Sequence, residues 1–143
     1  MDKQKIMIIE DNEGVAGFLD FSVQTLGYET IIACDGRTAL KFLRHTTPAM
    51  ILLDIYLPDI SGAEILQHVR TTDSLQQVPV IVLTGESQNL SQEVIKQANF
   101  TLIKPIEYHT LSQLIIRIAQ SQPSSSQNAP SLQEAWNDEY GDY

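Results

Sequence analysis

A chain of 143 residues, 43% of them apolar, is long enough to build one packed domain with a modest extension. Its 18 acidic and 9 basic residues give a formal net charge of −9, which argues against direct binding to nucleic acid or to an anionic membrane surface. Cys34 is the only cysteine, and the first residues lack the apolar run of a signal peptide or a membrane span. We therefore expect a soluble, cytoplasmic protein without an intramolecular disulfide.

Five short apolar runs alternate with helical patterns along most of the chain. The runs cover residues 5–9, 28–32, 49–53, 79–83 and 100–103, and each predicts a strand. Between the first two runs, Val15, Leu19 and Val23 recur at helical spacing. Ser61 stands where it can cap a helix after the third run, and the weakest helical pattern lies between residues 90 and 98. This alternation predicts an α/β fold, a doubly wound sandwich around a parallel sheet.

The end of the chain predicts a helix followed by a tail. Apolar residues between 111 and 118 lie at helical spacing. After about Ala119 the sequence contains two prolines, four acids and no basic residue, which is typical of a flexible segment. We expect one domain over residues 1–120 and a flexible acidic tail over residues 121–143, in which Trp136 and its neighbours form at most one docked helical turn.

Polar residues follow four of the five predicted strands. Glu10 and Asp11 follow the first strand, Asp54 the third, Thr84 the fourth and Lys104 the fifth. Because parallel strands end at the same edge of a sheet, and ligands of such sheets bind there, we expect these side chains to share one site. The sequence therefore predicts a cleft that contains three carboxylates, a hydroxyl and an amine.

Three carboxylates in one cleft need positive charge, since two unit charges about 4 Å apart repel by about 4 kcal/mol at an effective dielectric of ~20. Lys104 alone leaves the cluster at −2, whereas a divalent cation brings it to zero. The ligands are all oxygens, which favours Mg²⁺ over zinc or copper. Magnesium at carboxylates usually engages a phosphate, and an aspartate is an established nucleophile for acyl phosphates. The pattern therefore predicts phosphoryl transfer to Asp54, with Thr84 hydrogen-bonded to a phosphoryl oxygen.

Four sequence blocks identify a family when they are taken together. "IIEDN", "ILLDIYLPDISG", "VIVLTG" and "LIKPI" match, in order and at compatible spacing, the receiver domain of bacterial two-component response regulators. The chain resembles that family over about residues 3–119, in the manner of a single-domain, chemotaxis-receiver-like protein. The resemblance implies a flavodoxin-like (βα)5 fold with a five-stranded parallel sheet of strand order 2-1-3-4-5. It also implies a phosphorylation-dependent signalling switch, not a conventional enzyme, that catalyses only its own phosphorylation and dephosphorylation.

The resemblance also assigns roles to residues of the site. It implies that Asp54 is the phosphoacceptor and a metal ligand, and that Asp11 binds Mg²⁺ directly. Glu10, which stands where the family commonly carries aspartate, would act through a coordinated water. The backbone carbonyl of Tyr56 would be a further protein ligand, and Mn²⁺ would be able to replace Mg²⁺.

Two features concern the fifth strand. The resemblance implies that Lys104 pairs with the phosphoryl group and that its bond to Pro105 is cis. The family usually carries an aromatic residue three positions before this lysine, but here that position is Thr101 and the aromatic Phe100 lies one residue earlier. A shift of one residue changes the face of a strand, so either the output works without the aromatic, which we favour, or the strand carries a local irregularity.

The resemblance implies a sensor histidine kinase or a histidine phosphotransfer protein as phosphoryl donor, an unknown downstream protein as target, and a monomer or weak dimer. A phosphorylation-independent receiver-fold interaction module remains the alternative. An aspartate-nucleophile phosphatase is disfavoured because its paired-aspartate motif after the first strand is absent. A flavodoxin-like cofactor protein is disfavoured because "EDNEG" is acidic where a flavin phosphate needs hydroxyl and glycine donors.

The sequence predicts no catalytic role for the histidines or for Cys34. His45, His68 and His109 are predicted to lie on the surface because no partner pattern surrounds them. Cys34 is predicted to be a small packed residue. Tyr56 is large for a position so close to Asp54, and it is predicted to shield the acyl phosphate from water.

Overall fold

The structure is a computed structural model that describes residues 4–85 and 90–121 of the chain. Strands and helices alternate strictly within these ranges. The strands are β1 Lys5–Ile9, β2 Glu29–Ala33, β3 Met50–Asp54, β4 Val80–Thr84 and β5 Phe100–Ile103. The helices are α1 Glu13–Thr25, α2 Gly36–Leu43, α3 Gly62–Thr71, α4 Gln92–Gln97 and α5 Tyr108–Ser121. All five predicted strands are present, with bounds that differ from the prediction by one residue or not at all.

The shifts of one residue matter for the site. The third and fourth strands each extend one residue beyond the predicted apolar run, so Asp54 and Thr84 are the last residues of β3 and β4. Asp54 pairs with Leu83 and Thr84 pairs with Ile103 in the sheet registers. Backbone pairing with the neighbouring strand therefore includes both polar residues, although their side chains do not continue the apolar run.

The five strands form one parallel sheet of order β2-β1-β3-β4-β5, as the family resemblance implies. Every residue of β3 and β4 is buried, which explains their near-continuous apolar sequence. The two edge strands, β2 and β5, carry more exposed residues. The order reverses at β1, so the carboxyl ends of β1 and β3 flank the switch point where ligands of such sheets bind.

Helices cover both faces of the sheet. Met7 and Ile9 of β1 belong to a core cluster that includes side chains of α2, α3 and α4. Ile6 and Ile8 are also fully buried but alternate with them and so point to the opposite face, where α1 contacts β1 and β2. The predicted doubly wound architecture is confirmed.

Arg70 of α3 links several backbone segments through one guanidinium group. It donates to the carbonyl oxygens of Gln97 at 2.8 Å, Gln76 at 3.2 Å and Val78 at 2.7 Å, and to Asn99 Oδ1 at 2.8 Å. Partial burial lowers the pKa of Arg70. The side chain thus fixes the end of α4 and the start of β4 relative to α3, without a carboxylate partner among the described residues.

The chain divides into two compact units, residues 1–106 and 107–143. The described part of the second unit is α5, a helix with Leu111, Ile115 and Ile118 buried, as the apolar spacing predicts. The predicted tail lies outside the described residues from residue 122 onward, and the domain boundary at residue 120 stays a prediction. Within the described ranges no helix has the length and apolar character needed to cross a bilayer.

Candidate functional site

The structure brings the predicted polar residues together at the carboxyl edge of the sheet. Glu10 follows β1 and is 1% exposed, Asp54 ends β3 and is 5% exposed, and Thr84 ends β4 and is 3% exposed. Asp11 is exposed, and the Lys104 side chain is 26% exposed. The site is therefore a cleft with a buried floor and an exposed carboxylate at its rim.

Backbone hydrogen bonds between neighbouring strands continue past the strand ends and fix the positions of Glu10 and Lys104 at the edge of the sheet. The N–H of Glu10 donates to the Ala33 carbonyl at 3.1 Å, and the N–H of Lys104 donates to the Thr84 carbonyl at 2.8 Å. Lys104 and Thr84, which lie twenty residues apart, are thus joined through the main chain. The bond between Lys104 and Pro105 is cis, as the family resemblance implies.

The Lys104 ammonium lies between two carboxylates. Its Nζ is 3.0 Å from Glu10 Oε2 and donates a hydrogen bond to Glu10 Oε1 at 3.2 Å. The same Nζ lies 3.4 Å from Asp54 Oδ2. Burial alone lowers the pKa of Lys104, but the hydrogen bond with Glu10 and the charge of Asp54 outweigh burial and raise the pKa. The lysine is therefore held as a cation in the cleft.

Glu10 is the most buried carboxylate of the site. Burial raises its pKa, the hydrogen bond from Lys104 opposes that rise, and the negative charge of Asp54 adds to it. Its Oε1 accepts hydrogen bonds from Lys104 and, at 3.3 Å, from the N–H of Asn12. Its Oε2 is within ion-pair distance of Lys104 but accepts no well-oriented hydrogen bond from the described residues. A buried carboxylate oxygen that accepts no well-oriented hydrogen bond would be stabilised by a second positively charged group beside it.

Asp54 is oriented by the loop that follows it. Its Oδ1 accepts the N–H of Tyr56 at 3.0 Å, and its Oδ2 faces Lys104. The loop then turns into α3, where the N–H of Gly62 donates to the Ile55 carbonyl at 3.0 Å. Ser61 caps α3 by accepting the N–H of Ala63 at 3.1 Å, and this confirms the predicted cap. The Tyr56 side chain is 52% exposed beside the cleft.

The three carboxylates have the spacing of a cation site. One oxygen from each of Glu10, Asp11 and Asp54 lies within 4.8 Å of the other two. The donor set is all oxygen, as hard divalent ions require, and Lys104 alone leaves this cluster at −2. The residues present therefore fit a divalent cation, and the buried Oε2 of Glu10 supports that fit.

A residue that the sequence analysis passed over ties the same loop to α2. Asp59 accepts the N–H of Gly36 at Oδ1, 2.8 Å away, and the N–H of Arg37 at Oδ2, 2.9 Å away. Desolvation opposes ionisation of Asp59, but these backbone hydrogen bonds prevail and lower its pKa. The Pro-Asp dipeptide indicates a turn, but no sequence signal connects it to a helix more than twenty residues earlier.

The fifth strand is regular at the position where the family carries an aromatic. Val82 pairs with Thr101 and Ile81 pairs with Phe100 in an uninterrupted register, so the strand has no bulge there. Thr101 and Phe100 are both exposed. The local irregularity that the sequence left open is therefore absent, and Thr101 occupies the aromatic position on its face of the strand.

Two predictions about reactive side chains have opposite outcomes. His45, His68 and His109 are exposed, as predicted. Cys34 is exposed too, so the prediction that it packs as a small buried residue is wrong. It follows the buried Ala33 at the end of an edge strand, where the alternation of the strand turns its side chain outward.

Comparisons with known proteins agree with this geometry. Residues 6–116 match the family of response regulator receiver domains. The polar-differentiation response regulator DivK of Brucella anthropi is 36% identical over 94 residues, which cover 66% of this chain and 76% of DivK. The chemotaxis response regulator CheY4 of Vibrio cholerae superposes with a TM-score of 0.75 and 27% identity, over 82% of this chain and 99% of that protein.

A third relative was crystallised with an ion. The receiver domain of the sensor histidine kinase PA1611 of Pseudomonas aeruginosa PAO1 has a magnesium ion coordinated in its active site cleft. It superposes with a TM-score of 0.73 and 25% identity, and the match covers 81% of this chain and 97% of that domain.

Proposed function

The chain belongs to the response regulator receiver domain family, and from this premise we propose that it is a phosphorylation-dependent signalling switch whose phosphoacceptor is Asp54. The observation that carries the proposal is the arrangement around that carboxylate. Asp54 is buried at the end of a central strand, a lysine lies 3.4 Å away, and two further carboxylates lie close enough to share a cation.

The transfer itself is a nucleophilic substitution at phosphorus. A carboxylate oxygen of Asp54 forms the new O–P bond while the N–P bond of a phosphohistidine, or the O–P bond of a small acyl phosphate, breaks and its electron pair leaves with the donor. The transition state is loose and its charge is spread over the phosphoryl oxygens, so positioning and charge neutralisation supply the catalysis. Lys104 is held as a cation beside Asp54 and would supply charge neutralisation.

A divalent cation bound in the cleft would contribute to both positioning and charge neutralisation. Glu10, Asp11 and Asp54 would hold it, with the backbone carbonyl of Tyr56 as a further ligand and Glu10 acting through a coordinated water. Magnesium is the proposed ion, because of the all-oxygen donors and the magnesium reported for the PA1611 receiver, and manganese would be able to substitute. When bound, the ion supplies neutralisation of the phosphoryl oxygens.

The buried hydroxyl at the end of β4 completes the proposed site. Thr84 would donate to a phosphoryl oxygen of modified Asp54, and Lys104 would pair with another. Attack of water on phosphorus breaks the O–P bond, releases phosphate and restores the carboxylate. Tyr56, which stands half-exposed beside Asp54, would slow this step by limiting the approach of water.

The proposed donor is a sensor histidine kinase or a histidine phosphotransfer protein, and the proposed target is a downstream protein. The reaction is proposed to take place in the cytoplasm. In this proposal the chain is monomeric or weakly dimeric and catalyses only its own phosphorylation and dephosphorylation.

Intact-mass spectrometry tests the proposal. The purified chain is incubated with Mg²⁺ and acetyl phosphate, and we expect one phosphoryl adduct per chain. The adduct should disappear in Asp54→Ala and in the presence of a chelator. It should persist in Asp73→Asn, a matched control at an exposed aspartate of the α3–β4 connection.

The second candidate is a receiver-fold interaction module that works without phosphorylation. The observation that favours it is Thr101, which is exposed on a regular strand where the family usually carries an aromatic. The same experiment separates the two functions. Absence of an adduct with acetyl phosphate and with histidine kinases would support the interaction module and contradict the switch.

A further inference from the structure

The amino end of α2 is completed by a residue from another segment of the chain. An α-helix leaves its first N–H groups without an acceptor inside the helix, and in α2 these include the N–H groups of Gly36, Arg37 and Thr38. Asp35, the N-cap residue, accepts the N–H of Thr38 at 2.7 Å. The other two N–H groups are bound by Asp59, at 2.8 Å to Oδ1 and at 2.9 Å to Oδ2.

These two hydrogen bonds combine a full negative charge with the positive end of a helix. Hydrogen bonds to an ionised carboxylate are stronger than neutral ones, and the dipole of α2 adds a favourable interaction with the charge. The backbone hydrogen bonds lower the pKa of Asp59 against the effect of desolvation, so the carboxylate is ionised near neutral pH. Both oxygens of an exposed side chain are thus bound to α2.

Close packing at Gly36 joins the same two segments independently of the hydrogen bonds. A Cβ built at Gly36 would lie 2.8 Å from Ile60 Cβ and 3.2 Å from Asp59 Oδ1. Carbon atoms in contact normally lie about 3.5–4.0 Å apart, so a larger residue at position 36 would push the loop away. Ile60 packs in turn against the hydrophobic core. We call Gly36, Arg37, Asp59 and Ile60 the α2 joint.

The loop that the joint holds is the one that orients the phosphoacceptor. Residues 55–61 connect β3 to α3, and Asp59 lies only three residues after Tyr56. The N–H of Tyr56 donates to Asp54 Oδ1 at 3.0 Å. Pro58 stands between Tyr56 and Asp59, and its ring fixes one of the few backbone rotations that separate them. A displacement of Asp59 is therefore passed on to Tyr56.

We propose that Asp59 is a positioning residue for phosphoryl acceptance, which holds Tyr56 through the α2 joint where the Tyr56 N–H orients the Asp54 carboxylate. Asp59 does not touch the phosphoryl group and acts only through the loop. The kinetic consequence rests on the proposed function. The placement of Tyr56 does not, because its hydrogen bond to Asp54 is measurable without a phosphoryl donor.

A purely structural role for Asp59 is separated from positioning by a matched control at Asp35. Both carboxylates accept N–H groups at the amino end of α2, so the loss of either one weakens the start of the helix. Only Asp59 belongs to the loop that follows Asp54. Asp35→Ala therefore tests the stability of α2 alone, whereas Asp59→Ala also releases the loop.

Amide hydrogen exchange measured by NMR, without donor or added cation, reads out the placement of Tyr56. We expect the Tyr56 N–H to exchange about tenfold faster in Asp59→Ala than in the wild type, and at the wild-type rate in Asp35→Ala. The N–H of Ile55, which donates to the Leu83 carbonyl at 3.1 Å, should keep its rate in both variants.

A steric variant tests the joint without removing the carboxylate. Gly36→Ala should displace the loop through Ile60 and accelerate exchange of the Tyr56 N–H as Asp59→Ala does. The combined variant should exchange little faster than either single variant, because both changes release the same joint.

Phosphorylation by acetyl phosphate and Mg²⁺, followed by intact mass, reads out the effect on the reaction. We expect adduct formation to be about tenfold slower in Asp59→Ala and unchanged in Asp35→Ala, since small displacements of reacting groups slow a reaction strongly. Asp59→Asn keeps one acceptor oxygen and should fall between Asp59→Ala and the wild type. Absence of an adduct in the wild type would contradict the proposed function, whereas the exchange rates decide the placement of Tyr56 separately.

Three outcomes would overturn the proposal. The first is a Tyr56 N–H that exchanges equally fast in the wild type, Asp59→Ala and Gly36→Ala. The second is an equal effect of Asp35→Ala and Asp59→Ala, which would show that Asp59 only stabilises α2. The third is an unchanged rate of phosphorylation in Asp59→Ala. If Asp59→Ala does not fold, Asp59→Asn and Asp35→Asn are compared by the same criteria.

Discussion

Replacing Gly62 with alanine is expected to damage the loop that orients Asp54. Gly62 is the first residue of α3, and a Cβ built there would lie 2.6 Å from the Asp54 carbonyl oxygen and 2.6 Å from Ile55 Cα. Both contacts are with backbone, which cannot rotate away as a flexible side chain would. The loop between β3 and α3 must therefore shift, and with it the hydrogen bond from Tyr56 to Asp54.

The magnitude follows from two opposing effects. Forcing one methyl group into a filled space costs about 1–3 kcal/mol. Alanine gains up to about 1 kcal/mol over glycine in a helix interior, and less than that at its first residue. The net loss in the free energy of unfolding should be about 1–2 kcal/mol, or several degrees in the melting temperature of a domain of this size.

Urea unfolding of Gly62→Ala and Gly17→Ala is the assay. A Cβ at Gly17, inside α1, meets no atom within 4 Å, so that variant should be stabilised by about 0.5–1 kcal/mol. Gly62→Ala should also accept a phosphoryl group from acetyl phosphate more slowly than the wild type. A Gly62→Ala protein as stable as the wild type, with unchanged phosphorylation, would refute the steric reasoning.

Three further outcomes are expected. Asp59→Asn should destabilise the protein near neutral pH because it weakens the acceptor for the N–H groups of Gly36 and Arg37. Folding lowers the pKa of Asp59 from about 3.8. The difference in free energy of unfolding between wild type and Asp59→Asn should therefore be largest above pH 3.8 and should decrease as the pH falls below that value, as measured by urea unfolding at each pH. Arg70→Lys should lose about 1–3 kcal/mol in urea unfolding because an ammonium cannot reach all four acceptors, whereas Arg117→Lys, at an exposed position, should change little. Tyr56→Asn should shorten the lifetime of the phosphorylated form in a dephosphorylation time course, and an unchanged lifetime would contradict the shielding role.

The sequence was sufficient to predict the cleft because its residues obey local rules. Glu10, Asp54, Thr84 and Lys104 each stand at the end of an apolar run, and parallel strands bring such ends to one edge. Three carboxylates and one lysine leave a net charge of −2 in the cleft, and a divalent cation neutralises it. Ser61 was found in the same way, because capping depends only on neighbours along the chain.

Contacts between distant segments were not predictable in this way. Asp59 caps a helix more than twenty residues earlier, and Arg70 gathers acceptors from three separate segments. Neither residue has a local pattern that names its partner. The exposure of Cys34 has a different, local cause, because the residue follows the buried Ala33 at the end of β2 and its side chain points to the opposite side.

The most direct test of the central claim is chemical localisation of the phosphoryl group. The chain is phosphorylated with acetyl phosphate and Mg²⁺, treated with borohydride, which reduces an aspartyl phosphate to homoserine, and then mapped by peptide mass spectrometry. We expect homoserine at position 54, and none in a sample treated with chelator before phosphorylation. Homoserine at Asp11 or Asp59, or an unmodified position 54 in a chain that carries a phosphoryl adduct, would contradict it.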